Sequence, residues 1–110
     1  MGKEVFQGPT QFRVAANKVD AFERVYERTM LDTCWKLIKD AQGDITGIEL
    51  LCVPGALCEF RDMEKLVPFV EAGSFVTLES FWGDDVWRWT YHGDRISEET
   101  VPLSERSVFS

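Results

Sequence analysis

His92 is the only histidine in the chain, and a general base needs both a positioned partner and a pocket. Asp84, Asp85 and Asp94 are its acidic neighbours in sequence. All four residues fall in segments that read as turns, Gly83-Asp84-Asp85 and His92-Gly93-Asp94, where such residues serve backbone geometry. Asp84 and Asp85 with Glu79 offer oxygen ligands for a hard cation such as Ca²⁺, but no EF-hand-type loop surrounds them. Cys34, Cys52 and Cys58 show no C-x-x-C spacing, and one histidine cannot complete a transition-metal set with them. They read as reduced cysteines acting as small apolar residues. No phosphate-binding Gly-rich loop, H-E-x-x-H motif or nucleophile elbow is present. The expectation is a protein with no catalytic residue, no metal and no cofactor.

The aromatic and acidic residues of the last third remain, and their chemistry is binding. Three strands are predicted, over 74–82, 86–91 and 95–101, joined by the two Gly-containing turns. Alternation puts Phe75, Thr77, Glu79 and Phe81 on one face, with Val76, Leu78 and Trp82 on the other. It likewise puts Trp87, Trp89 and Tyr91 together, opposite Val86, Arg88, Thr90 and His92. Those three rings form either the floor of the core or an exposed docking strip, since Trp, Tyr and Arg dominate interface hot spots. The core reading is preferred, which leaves Arg88, Thr90 and Glu98 on an open face.

Charge sharpens this reading. Residues 1–55 carry eight acids and seven bases, a balance of −1, whereas residues 56–110 carry eleven acids and five bases, a balance of −6. Nearly the whole negative field therefore belongs to the strand-rich half. The expected partner contacts are Glu79, Asp84, Asp85, Arg88, Asp94, Glu98 and Glu99.

The elements that must hold this surface are legible from periodicity. Residues 1–10 read as a flexible arm, and Glu4-Val5-Phe6-Gln7-Gly8-Pro9 resembles a viral 3C-protease cleavage site that lacks the Leu before Phe6. Residues 11–14 alternate as a short strand. Asn17 is the expected N-cap of a helix running to Met30, with Val19, Phe22, Tyr26 and Met30 on its apolar stripe. Residues 34–38 and 45–52 flank Gln42-Gly43-Asp44 as a hairpin. A second helix is predicted over 62–72, with Met63, Leu66, Val67 and Val70 inward and an interruption at Pro68. The order β-α-β-β-α-β-β-β implies an α+β domain over 11–103. Its sheet is mostly antiparallel, two helices pack on one face, and 104–110 form a tail.

Composition excludes several function classes. With 110 residues, 45% of them hydrophobic, the chain supports one domain with a real core. A net charge of −7 disfavours direct nucleic-acid binding and docking on anionic lipid. No stretch reads as a membrane span or a signal peptide, so a cytoplasmic location is expected.

Part of the sequence resembles a group of small proteins carried by phages and mobile elements of Gram-positive bacteria. The matching residues are Val67-Pro68-Phe69-Val70-Glu71-Ala72-Gly73-Ser74, the strand 75–80, Gly83-Asp84-Asp85, Trp87-Arg88-Trp89 and Gly93-Asp94. The arm Asp44-Ile45-Thr46-Gly47-Ile48-Glu49 is similar too, so the likeness covers roughly 43–96. It implies a setting, mobile-element cargo, and no chemistry. Within that setting the expected function is a small acidic inhibitor that binds a basic nuclease of host defence, such as a CRISPR effector. An immunity protein against a nuclease toxin follows from the same physics, and a homodimeric adaptor is the reading without a foreign partner.

Overall fold

The computed structural model describes residues 5–29, 31–51, 59–80 and 86–101. Among the described residues, six strands and three short helices follow one another as β1 (Val5–Gln11), α1 (Ala16–Tyr26), α2 (Leu31–Cys34), β2 (Trp35–Lys39), β3 (Ile45–Leu50), α3 (Glu59–Glu64), β4 (Phe75–Ser80), β5 (Val86–Tyr91) and β6 (Ile96–Thr100). Every strand pairing is antiparallel, and the class is α+β as expected. The strands divide into a four-stranded sheet, β1-β4-β5-β6, and the β2-β3 hairpin. An isolated bridge between Val14 and Ile45 joins the two.

The first strand corrects the expectation of a flexible arm. Val5–Gln11 pairs along β4 from Val5↔Ser80 to Gln11↔Phe75, with a bulge between Gln7 and Thr10. Gly8 and Pro9 suggested a loop, yet both are accommodated by that bulge, where Pro need not donate to the ladder. Gly8 has a second reason to be there. A Cβ on it would stand 2.5 Å from a carboxylate oxygen of Glu79 and 3.1 Å from the Thr77 methyl. The domain therefore begins before residue 11, and after Gln11, which closes β1, residues 12–14 add only the single Val14 bridge.

Helix α1 starts one residue before the expected cap. Ala15 is its N-cap and supplies no side-chain bond; instead Asp44 Oδ1, from the β2-β3 turn, accepts the Ala16 N–H at 2.8 Å. Arg13 holds the same carboxylate through its other oxygen. The turn that carries Asp44 closes on Asp40, whose carboxylate accepts the N–H groups of Gln42 and Asp44, with Gly43 at φ 89°. The α1 stripe is buried as read, through Val19, Phe22 and Tyr26; Met30 lies outside the described residues.

Helix α3 ends at Glu64, and turns made of three-residue hydrogen bonds carry the chain onward to Val70. Pro68 explains both. It has no N–H, and its ring would clash with the carbonyl four residues earlier, that of Glu64, so the α-helix stops there rather than at 72.

The core lies on the side of the four-stranded sheet that carries Val76, Leu78, Trp89 and Tyr91. Phe12 centres it, 6.1 Å from the Phe22 ring of α1 and 5.9 Å from Tyr91. Phe60 of α3 meets Trp89 edge-on at 6.0 Å. Tyr91 donates its hydroxyl to the Met63 carbonyl at 2.7 Å, and Tyr26 donates to the Trp35 carbonyl at 2.9 Å. Cys34 is buried in the same cluster; Cys52 and Cys58 lie outside the described residues. Trp35, Ile48, Leu66 and Val70 are buried as expected, while Leu50 packs against the core only in part.

Candidate functional site: the outer edge of the four-stranded sheet

The expected contact residues separate into groups once placed. Asp84 and Asp85 lie outside the described residues. Glu79 is not a surface acid: it is 6% exposed, with Gly8 of the β1 bulge seated over its carboxylate. Asp94 is exposed at the β5-β6 turn, 3.5 Å from Arg95, so its charge is partly cancelled locally. Arg88 is half-buried. Its Nε donates to Thr77 Oγ1 at 3.1 Å and its guanidinium lies 4.8 Å from the Phe75 ring centre, which fixes it on the outer face of the sheet.

Glu98 and Glu99 are exposed on β6, the strand that ends the sheet. Register decides their faces, because paired residues in an antiparallel ladder share one. Glu98 pairs with Trp89 and accepts its indole N–H at 2.7 Å, so it lies on the core face, contrary to the open face expected for it. Glu99 pairs with Arg88 on the outer face, where Thr90 Oγ1 approaches it at 3.5 Å. Among the described residues neither carboxylate forms an ion pair. Four other acids are matched with bases: Asp44 and Glu71 with Arg13, Glu23 with Lys39, Asp62 with Lys65.

The aromatic strip is divided rather than wholly buried or wholly offered. Trp89 and Tyr91 are core residues, at 4% and 0% exposure, whereas Trp87 is only partly covered. Beside it a recess of about 240 Å³ is lined by Val86, Trp87, Glu98 and Thr100. Alternation put Trp87 and Trp89 on one face, but nothing in it marks which ring stands where the covering helices stop. Phe60 of α3 packs on Trp89, a contact between elements distant in sequence.

His92 Nε2 lies 2.7 Å from Ser97 Oγ, the spacing of a nucleophile and its base. Both are on the open side of the β5-β6 hairpin, and among the described residues no third group orients the imidazole. Among the described residues no group of three or more His, Cys, Asp or Glu is placed to hold a metal ion. No described helix is long and apolar enough to cross a membrane.

Compared with family models, curated proteins and solved structures, the chain has no match.

Proposed function

We propose that the chain is a stoichiometric binding protein that docks its β6 edge on a basic, nucleic-acid-binding surface of a partner protein and blocks it. The partner class that fits is a nuclease of host defence, a CRISPR effector being one example, and no catalytic step is involved. The observation that carries this reading is the pairing state of the acids. Glu98 and Glu99 are adjacent on an exposed edge strand and held only by neutral donors, whereas Glu23 and Asp62 face Lys39 and Lys65 of the same chain. Charges left uncompensated in this way speed and select encounters with a surface of opposite sign.

The test is a pull-down from bacterial lysate with the full chain, identification of the captured protein, and assay of its nuclease activity with and without an equimolar amount of the chain. Capture of a basic nuclease that loses activity is the expected result. Binding should weaken as ionic strength rises beyond physiological, where the Debye length falls under ~8 Å. Capture that survives both high salt and the double change Glu98→Lys, Glu99→Lys would overturn the reading.

A further inference from the structure

The backbone of β6 carries more information than its charges. Val101 N donates to Val86 O at 2.9 Å and His92 N donates to Arg95 O at 2.8 Å, so these are hydrogen-bonded pairs. The intervening register, Arg88↔Glu99 and Thr90↔Ser97, continues the alternation between them. Ser97, Glu99 and Val101 therefore turn their N–H and C=O groups toward β5. Ile96, Glu98 and Thr100 turn theirs away from it, and among the described residues no strand lies on that side. The edge is a row of backbone donors and acceptors ready for another strand.

The recess adjoins this edge on the face shared by Trp87, Glu98 and Thr100. Of its lining residues, Trp87, Glu98 and Thr100 carry their side chains on that face, while Val86 belongs to the opposite face and adjoins the recess at the start of β5. A long aliphatic stem ending in a cation suits this lining, because the stem packs on the Trp87 ring while the charged head meets Glu98. A residue directly across from Glu98 or Thr100 on an added strand would face into it. Pairing β6 with β6 of a second copy is disfavoured, since an antiparallel register centred on Glu98 sets like charges opposite each other.

We infer that β6 takes an extended Lys- or Arg-bearing segment of the partner protein as a fifth strand, with one cationic side chain entering the Trp87–Glu98 recess. This rests on the acidic-docking reading above and specifies how the docking is made. The test uses the full chain with a labelled peptide, acetyl-(Lys-Val)₄-amide, and an analogue of it N-methylated at alternate residues, which keeps the charge but removes ladder donors.

Amide exchange followed by NMR should show Ile96, Glu98 and Thr100 unprotected in the free chain and protected with the peptide bound, while Ser97 and Glu99 are protected throughout. Thr100→Pro removes an outward donor and leaves the β5 ladder intact; it should weaken the peptide roughly 2- to 10-fold. N-methylation should weaken it further. Three results would overturn strand addition: protection of those three amides in the free chain, no protection on binding, or no binding of the peptide. Equal binding of both peptides, lost in Glu98→Lys with Glu99→Lys, would overturn strand addition and support docking by charge. Equal binding that is indifferent to the double Lys change would overturn both.

Discussion

Trp89 donates its indole N–H to Glu98 at 2.7 Å, and this bond ties a core ring to an exposed carboxylate on the edge strand. Glu98 thus has a structural duty as well as a charge, and the two can be separated. Glu98→Gln keeps an acceptor for the indole and should leave stability within about 0.5 kcal/mol. Glu98→Ala leaves the N–H of a nearly buried Trp without its partner, at a cost of about 1–3 kcal/mol. Urea denaturation of the two variants measures the difference, and equal midpoints would show that the bond is not formed in solution.

The cap of α1 is the second relationship open to a direct test. Asp44 lies 28 positions from the N–H it accepts, so its removal costs what a local cap would. Asp44→Ala should lower stability by about 0.5–2 kcal/mol, and Asp44→Asn, which can still accept, by less. Thermal unfolding of both variants decides it. Asn17→Ala is the control and should be nearly neutral, because Asn17 is not the N-cap.

How much of this was legible in the sequence follows from where each signal resides. Alternation over 74–82, 86–91 and 95–101 and the Gly93 turn placed the meander, because hairpins are written locally; the Gly83 turn lies outside the described residues. The burial of Phe22, Tyr26, Leu66 and Val70 followed from helical spacing for the same reason. Features that depend on a distant element were invisible. Asn17 satisfied the local rule for a cap, but Asp44 occupied the position first. Glu79 looked like a surface acid until Gly8 was seen to lie over it. The site was legible only in part: its acidic character is compositional, whereas the differing cover of Trp89, met by Phe60 of α3, and of Trp87 depends on how distant elements pack.

Gln7 tests the corrected reading of the N-terminal segment. Its side-chain amide donates to the Ile48 carbonyl at 2.7 Å and to Thr10 Oγ1 at 3.0 Å, and its oxygen accepts the Leu50 N–H at 2.9 Å. One amide thereby mimics a strand along the free side of β3. Gln7→Glu keeps the size but turns the donor into an acceptor facing the Ile48 carbonyl. It should cost about 1–3 kcal/mol, more than Gln7→Met, which leaves the two backbone groups unpaired without adding repulsion. Chemical denaturation of the pair gives the order. A flexible arm would show no loss in either variant.

The two tyrosines give a prediction in alkali. Tyr26 and Tyr91 are the only tyrosines, and both are core residues. Burial pushes the Tyr91 phenol well above its ordinary value; for Tyr26 burial acts first, then the negative charge of Asp32 and of Cys34. In the unfolded chain both ionise near ~10. Above that pH the unfolded state releases protons that the folded state keeps, so each pH unit lowers the free energy of the unfolded state relative to the folded one. The stabilisation from keeping both hydroxyls neutral is therefore complete below about pH 10 and declines as pH climbs from there, by ~1.4 kcal/mol per unit for each tyrosine. Absorbance at the tyrosinate band should stay flat past pH 10 and then rise in one step that coincides with loss of the far-ultraviolet circular dichroism signal. In Tyr91→Phe the remaining step should still coincide with unfolding, because Tyr26 is held by the Trp35 carbonyl and not by solvent. A tyrosinate signal that titrates gradually around pH 10 with the fold intact would show that at least one of the two hydroxyls is open to water.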